Sequence, residues 1–176
     1  MIPPMAQIIL YVLNPEEYFK HVIAIFKKEA DEHNVVYVTT NKPYTNVQRS
    51  FEQAGINLSN VFFIDCISKE VLGEEPHDEP DNCLFVESPK SLTALSIAIH
   101  ESVRHLQGEK TLFLDSLSTL LIYNDANTIG RFSNFLVNKI RSYGVQTIIL
   151  SLESDVGKDV IKQIESFVDE VRHNGA

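Results

Sequence analysis

Thr111-Leu112-Phe113-Leu114-Asp115-Ser116-Leu117-Ser118-Thr119-Leu120-Leu121-Ile122-Tyr123 is an apolar stretch carrying a single carboxylate. The run ending in Asp115 suits a strand buried on both faces of a parallel sheet, which delivers that carboxylate to the sheet's carboxyl edge, where open α/β folds hold their ligands. Further β-rich apolar runs lie at 7–13, 35–39, 61–65, 83–87 and 146–151, and with 112–115 they make about six strands.

Helical patterns alternate with these runs. After Asn14-Pro15-Glu16-Glu17, where Asn can cap and Pro fits the first turn, Tyr18, Val22, Ile25 and Phe26 share one face. Residues 44–54 form a shorter helix that stops at Gly55. Leu92, Leu95, Ile99, Val103 and Leu106 follow Ser91 as its cap. Ile129, Phe132, Leu136 and Ile140 mark a helix ending near Gly144, and Val160, Ile164, Phe167, Val168 and Val171 mark the last. Strands separated by helices predict a three-layer αβα fold with a mostly parallel sheet. Right-handed crossovers then bring Asn14, Thr40 with Asn41, Asp65, Glu87, Asp115 with Ser116, and residues 151–153 to one edge. The acidic, Pro-containing stretch 73–82 reads as a surface loop.

Length and composition narrow the function classes. Residues 1–176 are read as a single domain, long enough to bury roughly 68–70% of the surface of its unfolded chain. Cys66 and Cys83 form no C-x-x-C pair and are read as reduced. No stretch approaches the roughly 18 apolar residues of a membrane span, so no membrane association and a cytoplasmic location are expected. A formal net charge of -9 repels phosphate backbones, which argues against nucleic-acid binding. Lys20, Lys27, Lys28, Arg131, Lys139 and Arg141 are read as solvated helix faces without interleaved aromatics.

Three segments carry a family likeness. Residues 35–43 (Val-Val-Tyr-Val-Thr-Thr-Asn-Lys-Pro), residues 60–68 (Asn-Val-Phe-Phe-Ile-Asp-Cys-Ile-Ser) and residues 112–123 look like the second strand, the third strand and the Walker B strand with its following loop in the RecA/KaiC-like branch of P-loop ATPases. The chain resembles a degenerate member of that superfamily lacking the Walker A loop. The likeness runs over residues 7–170 and implies a RecA-like core.

Position by position, the resemblance departs from an active ATPase. A working phosphate loop uses glycines to aim N–H groups at the phosphates, a Lys to neutralise them and a hydroxyl for the metal. Here Asn14-Pro15-Glu16-Glu17-Tyr18-Phe19-Lys20-His21 leaves the first strand, with no glycine, with Pro15 lacking a donor, and with two carboxylates at the positive helix end. The glutamate that polarises water in RecA-like enzymes has Thr39-Thr40-Asn41 in its place. Asp115 matches the metal-side Asp, but one carboxylate without a phosphate-bound Mg²⁺ makes a poor magnesium site.

Other chemistries fit worse. In His100-Glu101-Ser102-Val103-Arg104-His105 the histidines are five apart, one more than a zinc-binding helix needs to put both on one face. A receiver domain would need an acidic pair where Asn14-Pro15 stands, and no G-x-S-x-G elbow occurs. Cys66 beside Asp65 is expected to be structural. His21, His33, His77 and His173 are expected to be solvated, and Pro43-Tyr44 reads as a loop-to-helix junction.

The expected function is that of a non-hydrolysing RecA/KaiC-like domain with a regulatory or scaffold role through protein contacts. The alternative is a nucleotide-binding sensor or slow ATPase using a different pocket at the carboxyl edge. Its candidate nucleotide-binding residues are Asp115, Asp65, Thr40 and Asn41. No catalytic residue, metal ligand or cofactor is expected. A protein partner or self-association is expected, the latter implied by the side-by-side assembly common in the resembled family, and a nucleotide is disfavoured.

Overall fold

The computed structural model describes residues 5–73, 76–77, 80–154 and 156–174. In chain order the elements are β1 (Ile8–Leu13), a 3-10 turn (Pro15–Glu17), α1 (Tyr18–Glu32), β2 (Asn34–Thr39), α2 (Tyr44–Gln53), β3 (Val61–Asp65), α3 (Ser68–Leu72), β4 (Cys83–Phe85), α4 (Leu92–His105), β5 (Lys110–Asp115), α5 (Leu117–Tyr123), α6 (Ala126–Tyr143), β6 (Gln146–Leu152), α7 (Lys158–Glu165) and β7 (Glu170–His173). The strands form one sheet in the order β4-β3-β2-β5-β6-β1-β7, and every pairing is parallel. All carboxyl ends therefore lie on one edge. The surface-loop expectation for 73–82 falls partly on Glu74, Glu75, Asp78 and Glu79, which lie outside the described residues.

The alternation of side chains along each strand divides the core in two. Ile9, Tyr11, Leu13, Val35, Tyr37, Phe63, Phe113, Ile148 and Leu150 face Val22 and Phe26 of α1 and Val47 and Phe51 of α2. This half is aromatic: Phe26 stacks on Phe51 at 4.2 Å and Tyr37 on Phe113 at 5.2 Å, and Phe26 meets Tyr37 edge-on at 5.1 Å. The opposite half is mainly aliphatic, with Leu10, Val36, Ile64, Leu112 and Ile149 against α4, α5, α6 and α7. Cys66 belongs to the aliphatic half and Cys83 to the aromatic one, so the sheet separates the two buried thiols.

The structure corrects several details of the expected fold. Among the described residues there are seven strands, where about six were expected, because the last helix stops at Glu165 and the chain returns as β7 beside β1. Asp169 starts that strand: its carboxylate accepts from Ile8 N–H at 2.8 Å and its own N–H donates to the Ile8 carbonyl at 2.9 Å. That pairing covers β1, which would otherwise be an open edge. The segment after Asp115 is the helix α5 rather than a loop, its Ser116 hydroxyl accepting from Thr119 N–H at 3.4 Å while Leu117 and Leu120 are buried. Ser91 precedes α4 but makes no side-chain cap bond. Asn14 does cap, accepting from Glu16 N–H at 3.0 Å, and Gly144 closes α6 in the left-handed conformation that glycine adopts without a Cβ penalty.

Candidate functional site

β2 and β5 lie side by side with Thr39 opposite Asp115. Their following helices go to opposite faces of the sheet, which makes their carboxyl ends a crevice of the kind where open α/β folds bind ligands. Here the chain itself fills it. Thr40 N–H donates to the Asp115 carbonyl at 2.9 Å, the Thr40 hydroxyl reaches the carbonyls of Asp115 and Ser116 at 3.1 and 3.2 Å, and Ser116 N–H donates to the Thr40 hydroxyl at 2.9 Å. The Asp115–Ser116 peptide bond is cis.

Both oxygens of Asp115 are occupied. Tyr37 rises from the aromatic core, two residues before the end of β2 and on the face of Asp115, and donates its hydroxyl to Oδ2 at 2.5 Å. Tyr18, the first residue of α1, donates to Oδ1 at 2.5 Å. Asp115 is only 7% exposed. Burial pushes its carboxyl above the usual carboxylate range, while the two phenols and the charge of Lys42 pull the other way. Burial, followed by the negative charge of Asp115, pushes the Tyr18 and Tyr37 phenols well above their ordinary value. Lys42 rests over the exposed Phe19 ring at 5.0 Å from its centroid, whereas Lys20 points to solvent with 79% of its side chain exposed.

Asp65 ends β3 one strand further out and has a different environment. Oδ1 accepts from the N–H groups of Ile67 and Ser68 at 2.8 and 2.9 Å, and Oδ2 from Tyr44 N–H at 2.8 Å and the Ser68 hydroxyl at 2.5 Å. The carboxylate thus ties the starts of α2 and α3 to the sheet and is fully buried. Of the four residues proposed from sequence, Thr40 and Asp115 are in contact, Asp65 is engaged in its own corner, and Asn41 is exposed. Among the described residues, no group of three His, Cys, Asp or Glu side chains could hold a metal ion.

Sequence reasoning missed a polar cluster at the opposite end of the sheet. Glu29 of α1 is buried, and its Oε2 accepts from the Thr111 hydroxyl at 2.9 Å and lies 3.1 Å from His33 Nδ1, with the Gln146 amide at 3.3 Å. His33 is therefore not solvated, contrary to expectation. The only signal was the spacing Val22, Phe26, Glu29, which places the glutamate on the buried face of α1. Cys66 and Cys83, whose thiols burial pushes up, are structural in chemistry as well as position.

A family model matches residues 20–171, a span that contains Tyr37, Asp65 and Asp115. The chain belongs to the family of unknown function DUF7504. A comparison with curated proteins found no match. Among solved structures, this DUF7504 chain is similar to the KaiC-like protein PH0186 from the hyperthermophilic archaeon Pyrococcus horikoshii OT3, with a TM-score of 0.61 and 16% identity over 89% of this chain and 68% of that one. The uncharacterized protein PH0321 of Pyrococcus horikoshii, solved in complex with an unknown peptide, gives a TM-score of 0.68 and 12% identity over 95% and 76% of the two chains. Protein PH0250 of Pyrococcus horikoshii OT3 gives 0.63 and 10% over 95% and 81%. At these identities the likeness is one of fold: the DUF7504 chain has a RecA/KaiC-like αβα architecture. No described helix is long and apolar enough to cross a membrane.

Proposed function

We propose that this chain is a degenerate, non-hydrolysing RecA/KaiC-like domain that acts through protein contacts, as a regulator or scaffold. The observation that carries this reading is Tyr18 on Asp115. The residue opening the helix after β1 stands against the carboxylate that would have to face a metal, and Tyr37 takes the other oxygen. No glycine and no Lys-Ser/Thr pair precedes it between β1 and α1. A triphosphate arriving there would meet Glu16 and Glu17 in place of N–H donors aimed at phosphate. A metal ion would have to displace two phenols from a buried carboxylate. A neighbour in fold, PH0321, was solved with a peptide, which accords with a fold that engages polypeptide.

One observation favours a second reading, a nucleotide-binding sensor or slow ATPase at a different pocket. A cavity of about 510 Å³ at the carboxyl ends of β1, β6 and β7 is lined by Lys158, Lys162 and His173 together with Glu153 and Glu165, beside the apolar Val12, Leu152 and Ile161. Its volume and its mixed charges suit a small polar ligand. Melting curves and titration calorimetry with Mg-ATP, Mg-GTP and ADP separate the readings. At about 100 times its Kd a ligand stabilises the fold by about 2.7 kcal/mol, so a reproducible upward shift, or measurable phosphate release, overturns the non-binding reading. Loss of such a shift in Lys158→Ala would assign the ligand to this cavity.

A further inference from the structure

The helix α6 is an electrostatic exception within an acidic chain. Its eighteen residues carry Arg131, Lys139 and Arg141 and no carboxylate, against 24 acidic and 15 basic residues overall. Arg141 is paired with Asp169 at 2.6 Å. Arg131 and Lys139 have no ion-pair partner among the described residues. The nearest carboxylate along the chain, Asp125, caps the helix by accepting from Thr128 N–H and hydroxyl at 2.9 and 2.7 Å. Arg131 reaches the Thr128 hydroxyl at 3.5 Å, and its charge adds to the Thr128 bonds that hold the exposed Asp125 carboxyl below its usual range, without forming an ion pair.

These two cations flank an aromatic. Phe135 lies four residues from each, so the three form one stripe along the helix. Lys139 Nζ sits 5.3 Å from the Phe135 centroid, and Phe135 remains 54% exposed. Basic and aromatic residues thus do interleave on α6, which corrects the expectation of no interleaved aromatics, while Arg131 and Arg141 are exposed as expected. Beside the stripe runs a groove of about 640 Å³ between α6 and α7, with Asn134 and Asn138 on one wall and Gln163 and Phe167 on the other. Gly130 also lines the groove, and a Cβ there would stand 3.0 Å from the end of the Gln163 side chain.

We propose that this groove docks an acidic segment of a partner protein, with an apolar side chain of that segment seated between Phe135 and Phe167. Carboxylates of the segment meet Arg131 and Lys139, and the carboxamides of Asn134, Asn138 and Gln163 hold its main chain, since each offers both donor and acceptor. Charge complementarity selects this occupant: a basic or neutral segment would leave both cations unmatched. The net charge of -9 and a stripe of only two cations weigh against a nucleic-acid strand, which needs a longer basic track. The inference rests on the protein-contact reading of the domain and names its surface and partner chemistry.

A displayed library of short random peptides, selected against the intact protein, tests it. Enriched peptides should be net acidic with one large apolar residue, and their labelled copies should lose affinity at least about tenfold with Arg131→Gln/Lys139→Gln and with Phe135→Ala. The exposed Phe19→Ser change on the other helical layer should leave affinity unaltered. Enrichment of basic or neutral peptides, indifference to the groove variants, absence of any enriched peptide, or tighter binding of labelled oligo-dT than of the peptides overturns the proposal. Nucleotide binding in the calorimetric test would instead overturn the non-binding function while peptide capture by the groove stood.

Discussion

Asp65 and Asp115 occupy equivalent places, each ending a strand that flanks β2, each opposite Thr39 and each buried, yet they are satisfied in different ways. Asp65 accepts from three main-chain N–H groups and one hydroxyl, so its partners belong to the path of the backbone. Asp115 accepts from two side chains borne on other elements, Tyr18 of α1 and Tyr37 of β2. A carboxylate matched by backbone is part of the fold, because nothing short of unfolding frees it. A carboxylate matched by phenols depends on side chains borne by other elements, which a rotamer change can withdraw while the backbone stays in place.

The largest effect should come from Asp65→Ala, which strands three N–H donors and a hydroxyl in a dry corner; urea denaturation should show a loss of at least about 3 kcal/mol. If Asp115→Asn proves more damaging than Asp65→Ala, the two corners have been assigned the wrong way round. Next comes Tyr37→Phe, expected to lower stability by about 2 kcal/mol, since it removes a hydrogen bond to a buried charge. Asp115→Asn should cost less, about 1 kcal/mol, because burial already penalises the charged form and the neutral amide relieves that penalty. It should leave the response to Mg-ATP unchanged; a gain or loss of nucleotide affinity in this variant would reopen the site.

The smallest expected effect is a pH dependence. Tyr18 and Tyr37 hold their protons more tightly folded than unfolded, so their contribution is complete below the ordinary tyrosine pKa of about 10 and is lost as pH rises beyond it. Melting temperature should fall above about pH 10 more steeply in the natural chain than in Tyr18→Phe/Tyr37→Phe. Asp115 has the same sign in the acidic range, its raised carboxyl favouring the protein below its folded pKa. Parallel alkaline curves for the natural chain and the double variant would remove the tyrosines from the account.

Much of the fold could be read because strands such as β1 and β5 are buried on both faces and so appear as unbroken apolar runs. The missed pieces are those whose identity rests on distant contacts. β7 reads as the tail of an amphipathic helix until Asp169 pairs with Ile8, and Glu29 looks like one more charge in a lysine-rich stretch until Thr111 and Gln146 arrive beside it. In the candidate site, Asp115 and Thr40 were visible from their position at strand exits. The role of Tyr18 was not, because its partner lies 97 residues away and the tyrosine counts equally well as part of the apolar face of α1.

The placement of the two thiols on opposite faces of the sheet has a practical consequence. With Cys66 and Cys83 buried and their thiolate forms suppressed, maleimides and disulfide reagents should find nothing to react with in the folded chain. A cysteine placed at Asn127, exposed at the rim of the groove, would then be the sole reactive handle, ready for a fluorophore that reports directly on what enters the groove. The slow modification of the two native thiols would time the rare opening of each half of the core.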